Sequence, residues 1–156
     1  MTNLKEQIIA ISKEIGISKI GFTAADNFDY LEKSLRLAQE KGTNSGFEHQ
    51  NIEERIKPKL LLDNAKTIIS IAIAYPNKLP QLPGKSSYKR GKFSSSSWGV
   101  DYHTILTEKM ACLSERIAEL TDEFDHKAMV DTGAVVDTAV ARRAGIGFIG
   151  KNGLVI

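Results

Sequence analysis

A chain of 156 residues, 42% hydrophobic and 26% charged, has the makings of one globular domain and excludes disorder throughout. A net charge of +2 is too small to mark nucleic-acid binding by composition, so any electrostatic argument rests on local clustering. The single cysteine, Cys112, excludes an internal disulfide and a cysteine-ligated iron–sulfur centre within the chain, since such centres usually take four thiolates, and it makes a cytoplasmic home the default.

The opening run MTNLKEQIIAISKEIG mixes charges among apolar residues at helical spacing, which suits neither a signal peptide nor a transmembrane span. Leu4, Ile8, Ile11 and Ile15 recur every three or four residues and predict an amphipathic helix ending near Gly16. Lys19–Thr23 reads as a short strand, Ala24–Asn27 as a turn, and Leu31, Leu35 and Leu37 as a second helix that stops around Gly42. Thr43–Gln50 is a polar loop, and Ile52–Leu62 a short helix or ordered turn. Thr67–Tyr75 (TIISIAIAY) is the strongest strand signal. Its β-branched, apolar character on both faces predicts a central strand covered on both sides.

Asn77–Trp98 is the least regular stretch, with a basic group (Lys85, Lys89, Arg90, Lys92) and the run Ser94–Ser97. A loop this long inside a compact domain is usually functional or disordered. Asp101 precedes a helix to about Leu120 that buries Ile105, Leu106, Met110, Leu113 and Ile117. Lys127–Val130 reads as a strand, Val135–Ala144 as a helix stopped by Gly145, and Leu154–Ile156 as a further strand-like run. An apolar final run predicts a chain that stops in mid-architecture.

The densest set of unusual residues is 131–153, DTGAVVDTAVARRAGIGFIGKNG. Asp131-Thr132-Gly133 follows a predicted strand and opens a predicted helix, the setting in which α/β proteins bind ligands. On position alone Asp131 reads as a helix cap. Gly145, Gly147, Gly150 and Gly153 suit either a close approach of backbone to a large ligand or positive φ. The literal GxGxxG of residues 145–150 follows a helix rather than a strand and is rejected as a dinucleotide fingerprint.

The segment VDTGAVVDTAVARRAGIGFIGKNGLVI is very similar to the one that epoxyqueuosine reductases carry ahead of their ferredoxin-like cysteines: V-D-T-G-P, an R-A-G-hydrophobic-G stretch, then G-K-N. SKIGFTAADNF, EERIKPKLLLDNAKTIISIAIAYP and RGKFSSSSWGVDYHTILTEKM match in the same order, so the resemblance spans essentially the whole chain, 1–156, as one N-terminal cobalamin-binding domain. Ala134 departs from the family's proline.

The resemblance implies an α/β (α+β) domain with a mixed central sheet flanked by helices, like those of corrinoid reductases and B12-processing proteins. It implies reduction of epoxyqueuosine to queuosine at the anticodon wobble position of tRNA, with cobalamin as cofactor and Asp131 as proton donor. Four-iron four-sulfur clusters belong to a C-terminal half outside this sequence, so turnover by this chain alone is not expected. The positions carried over to cobalamin are Arg55, Ser94, Ser97, Trp98, Asp131, Lys151 and Asn152, with Tyr102 and His103 as weaker candidates. The bland readings are an ion pair of Arg55 with Glu53 or Glu54, a plain serine loop, a core anchor at Trp98, a surface or capping His103, and a plain turn at Lys151-Asn152. The basic loop Lys85–Lys92 is either a tRNA phosphate contact or a solvated charge run. The alternative to an enzyme is a stand-alone corrinoid- or tRNA-binding module without catalysis.

Overall fold

A computed structural model describes residues 3–75, 91, 93–131 and 133–156. The basic loop Lys85–Lys92, apart from residue 91, lies outside them, as do Pro76 and Thr132. In chain order the elements are α1 (Leu4–Glu14), β1 (Lys19–Ala24), α2 (Glu32–Glu40), α3 (Ile52–Ile56), β2 (Thr67–Ala72), α4 (Tyr102–Ala118) and α5 (Asp137–Arg143). Single 3-10 turns lie at Asp29–Leu31, Pro58–Leu60 and Ser95–Ser97.

Local chemistry explains where these elements start. Asn3 caps α1, its side chain accepting from the Lys5 N–H at 3.2 Å while the Glu6 carboxylate accepts from the Asn3 N–H at 3.3 Å. This reciprocal arrangement satisfies N–H groups that a helix start leaves without partners. Asn51 caps α3 and Asp101 caps α4 by side-chain acceptance alone, from the N–H groups of Glu53 and His103. Gly16, at φ +76°, turns the chain out of α1 into β1, a conformation that costs glycine no Cβ clash.

β1 and β2 pair antiparallel, from Lys19 opposite Ala72 to Ala24 opposite Thr67. Because side chains alternate along a strand, the pair has two distinct faces. On one, Ile20, Phe22, Ile69 and Ile71 pack against Ile8 and Ile11 of α1 and Leu113 and Ile117 of α4. On the other, Ile68 joins Phe28, Ile56 and the α5 residues Ala139 and Val140. Gly21 lies against α5: a Cβ there would sit 2.3 Å from the Ala144 carbonyl oxygen. The layers are therefore α1 and α4, then the strand pair, then α5 with α3.

The architecture is mixed α and β, as expected, but the sheet has two strands among the described residues rather than a larger mixed set. β2 has packed layers on both faces, yet none of its residues is fully buried, since one of its edges stays open. Residues 127–130 join no ladder, so the strand expected there does not form. A strand is defined by a neighbour to bond to, and the open edge of β2 lies across a hollow from this run. Val155 makes a single antiparallel bridge to Ile149, so the terminal run closes a small hairpin. No helix among the described residues is long and apolar enough to cross a membrane.

The loop before α3 carries a titration signature. The Glu48 carboxylate accepts from the N–H groups of Ser45 and Gly46, both at 3.0 Å. The Ser45 N–H above all, then the Glu48 backbone N–H and the Ser45 hydroxyl, with a smaller part from Gly46, pull its pKa down to about 2. A depressed carboxylate steadies the loop fully above the unfolded value of 4.5, and the effect is lost as pH falls through the folded value. The Ser45 and Gly46 amide resonances are therefore expected to titrate together with a midpoint near 2 and to go flat in Glu48→Gln. A midpoint at the ordinary carboxylate value would contradict these bonds.

Candidate active site

Asp131 sits where the run 124–130 ends, with φ at +55°, a left-handed conformation that non-glycine residues seldom adopt. Helix α5 starts six residues later, with Val136 in the cap position, so Asp131 does not cap it. That corrects the reading of the aspartate as opening a helix. The turn after it is tight: a Cβ on Gly133 would lie 2.7 Å from that of Met129, so a side chain there would force the turn away from the preceding run.

Two consecutive residues of the first turn of α4 reach this carboxylate. The Tyr102 hydroxyl donates to Asp131 Oδ2 at 2.8 Å, and His103 Nε2 lies 3.5 Å from the same oxygen. The two rings stack on each other, centroids 4.1 Å apart. Asp101 fixes the imidazole from behind: its Oδ1 lies 2.8 Å from His103 Nδ1 and accepts from the His103 backbone N–H at 2.9 Å. The bond to Asp131, with lesser contributions from burial and the negative charges of Asp131 and Asp101, pushes the Tyr102 hydroxyl above its usual pKa, so the phenol keeps its proton. The backbone and ring bonds from His103 hold Asp101 below the usual carboxylate range, so it stays charged. The outcome is an aspartate gripped from one side while 61% of its side chain remains exposed.

A second carboxylate belongs to this corner and has no counterpart in the sequence reading. Asp137, in the first turn of α5, borders the same hollow as Asp131 and Tyr102. Surrounding protein atoms push its carboxyl above the usual range, and the charge of Asp131 adds to the shift. An Asp in a first helical turn ordinarily reads as a partner for the helix dipole, which is why the sequence pattern hides it. Among the described residues no group of three or more His, Cys, Asp or Glu is arranged to hold a metal ion.

Of the other candidates, Ser94 and Ser97 are exposed, and Ser94 shares a 2.9 Å hydroxyl contact with Ser96. Trp98 is half-buried, so it is no core anchor, and it lies four residues before Tyr102. Arg55 is half-buried on α3. The carboxylates considered for it are taken, Glu53 by Arg36 and Lys57 and Glu54 by His49, so among the described residues its guanidinium has no ion-pair partner. Lys151 is exposed, and Asn152 uses its Oδ1 to accept from the Leu154 N–H at 3.2 Å. The structure joins Tyr102, His103 and Asp131 directly. Arg55, Ser94, Ser97, Trp98, Lys151 and Asn152 are absent from the lining of the hollow that Asp131 borders.

The glycine-rich stretch has a structural use. A Cβ on Gly147 would meet the Ile156 carbonyl oxygen at 2.4 Å, and one on Gly150 the Ile156 side chain at 2.5 Å. These glycines let the two arms of the terminal hairpin close on each other, while Gly145 and Gly153 adopt positive φ.

The family model described as "Epoxyqueuosine reductase QueG, DUF1730" matches residues 55–132, half of the chain, a span that runs from Arg55 through Asp131. The chain belongs to the epoxyqueuosine reductase family. The structure of an epoxyqueuosine reductase from Streptococcus thermophilus superposes with a TM-score of 0.94 at 66% identity, covering 99% of this chain and 42% of that one. An epoxyqueuosine reductase with an epoxyqueuosine-modified tRNA-Tyr stem loop gives 0.91 at 48% identity, covering 97% and 40%. The Bacillus subtilis epoxyqueuosine reductase, in a form whose catalytic aspartate loop is swung out of its active site, gives 0.90 at 45% identity, covering 97% and 40%. The chain likewise spans 44% of the length of a curated epoxyqueuosine reductase to which it is 55% identical.

Proposed function

We propose that this chain is the cofactor-binding, proton-donating part of an epoxyqueuosine reductase, one that presents cobalamin and Asp131 to epoxyqueuosine in tRNA. One observation carries the reading: the Asp131 carboxylate is held by the Tyr102 hydroxyl at 2.8 Å and still faces outward. A buried cap would be out of reach of any substrate, and a free surface aspartate would not be aimed. The aspartate-bearing catalytic loop of the B. subtilis relative supports assigning the role to this loop. The modified stem loop bound by another relative supports tRNA as the partner.

Removing an epoxide oxygen as water and leaving an alkene takes two electrons and two protons. Cobalamin, when bound, supplies the reducing power at its cobalt. Asp131, in its protonated form, delivers one of the two protons to the departing oxygen, solvent supplies the other, and Tyr102 and His103 hold the carboxyl in place for that transfer. The left-handed turn at Asp131 belongs to the same device, since strained backbone collects at sites that fix a side chain for function.

The residues present fit a corrinoid. A corrin asks for hydrogen bonds to its amide rim and a flat apolar contact. Ser94 and Ser97 offer exposed hydroxyls, and Trp98 a half-open indole face. Arg55, without a carboxylate partner, suits a phosphate or amide oxygen of the cofactor tail, and Lys151 and Asn152 suit further amides. Iron–sulfur clusters, when present, would be held by polypeptide outside this stretch, since Cys112 is its single cysteine.

Desalting after incubation with hydroxocobalamin tests the pocket without turnover. Corrin absorption bands are expected to stay with the protein and to fall at least about tenfold in Trp98→Ala and Arg55→Ala, since each loses a contact worth about 1.4 kcal/mol or more. Equal retention in both variants would remove these residues from the cofactor site.

A further inference from the structure

A hollow of about 460 Å³ runs beside β2, and its lining has an unusual pattern. One wall is the unbroken run Thr67–Ile71, and the facing wall the unbroken run Phe124–Asp131. A cavity over the face of a strand is lined by alternate residues, because side chains alternate. Five consecutive residues mean that this hollow lies along the edge of the strand.

The hydrogen-bonding groups say the same. The Ala25 N–H donates to the Lys66 carbonyl at 3.0 Å, which with the register sets the phase of the antiparallel ladder. Ile68, Ser70 and Ala72 then turn their backbone groups toward β1, and Thr67, Ile69 and Ile71 turn theirs into the hollow. Among the described residues, the outward groups of these three have no backbone partner. Backbone groups that face an apolar cavity are poorly satisfied there, so an edge of this kind calls for a partner.

We infer that this slot is the seat of an inserted β-strand, which bonds to the free edge of β2 on one side and to residues 125–129 on the other. Leu106, Met110 and Leu113 of α4 cover the slot from one face, and Val140 and Ala141 of α5 from the other. An inserted strand is therefore buried on both faces and must be apolar on both, a continuous run of Val, Ile and Leu rather than an alternating one. The occupant is a segment of the same polypeptide carried to the length of its relatives, of which this chain spans 39–44%. A tethered strand closes such a slot without the concentration dependence of a second molecule. The absence of a ladder at 127–129 has the same explanation: these residues line the slot, and the strand they would pair with is the inserted segment.

Hydrogen–deuterium exchange read at single residues tests this on the 156-residue chain and on a version extended to full length. In the short chain the amides of Thr67, Ile69 and Ile71 are expected to exchange at least a hundredfold faster than those of Ile68 and Ser70. In the long version all five are expected to be protected alike. Persistent fast exchange at 67, 69 and 71 in the long version would overturn the inference. So would protection in the short chain that rises with protein concentration, which would assign the slot to a second copy. An Ile69→Pro variant supplies an independent check, since proline removes an N–H that faces the slot, while the loss of the Ile69 core contacts is common to the short and long versions. Its melting temperature is expected to fall much further in the long version than in the short one, and an equal fall in both would count against the strand.

Discussion

Asp131→Asn, placed in a polypeptide carried to full length, is expected to keep its cobalamin and lose alkene formation by about a hundredfold to ten-thousandfold, the range typical of a removed general acid. Asparagine is the informative replacement. It tolerates the left-handed φ of +55° and can still accept from Tyr102, so the loop should keep its shape while losing the transferable proton. Alanine would add backbone strain and lose the Tyr102 bond together with the acid. Mass detection of queuosine in substrate tRNA gives the rate, and the corrin spectrum shows that the cofactor is still in place. Unchanged turnover in the asparagine variant would take Asp131 out of the chemistry and return it to a purely architectural role.

The largest effect on stability is expected at Phe28. This ring is 1% exposed, packs with Ile56, Val135, Ala139 and Val140, and carries the Arg143 guanidinium 3.4 Å from its centroid. Phe28→Ala leaves a cavity in a site that the Arg143 contacts keep from collapsing, and is expected to cost about 3–5 kcal/mol. For a domain of this size that lowers the melting temperature by about 10–15 °C. Phe28→Leu keeps most of the volume and should cost well under half as much. Calorimetry of the two variants separates cavity formation from loss of the ring itself, and similar melting points for Phe28→Ala and the parent would deny this cluster its role.

Much of this was legible in the residues. The three-and-four spacing of Leu4, Ile8 and Ile11 marks α1, and Asp101 announces α4, because local periodicity and capping decide those elements. Residues 127–130 misled for the opposite reason: strand character is a property of a pair, and no strand among the described residues pairs with this run. Asp131 stood out, but its backbone conformation and its grip by Tyr102 depend on a contact across 29 residues. Asp137 was invisible, since its altered acidity comes from neighbours that only folding supplies. Gly147 and Gly150 looked like ligand-facing glycines and turned out to make room for Ile156.

The Arg143 side chain reaches back to the carbonyl oxygens of Ala24, Asp26 and Asn27, bonds that join residues up to 119 positions apart. While the ribosome is still making the chain, the bend after β1 is tied by the Ala25 N–H to Lys66 and the Phe28 N–H to Ile56, but it lacks its three Arg143 bonds until the last turn of α5 has emerged. The pocket around Phe28 therefore stays open through most of synthesis, and its apolar walls are within reach of chaperones or of neighbouring nascent chains for that interval. Slowing translation before Arg143 has left the ribosome should lengthen that vulnerable window, whereas a pause after it has emerged should leave the yield of folded protein unaltered.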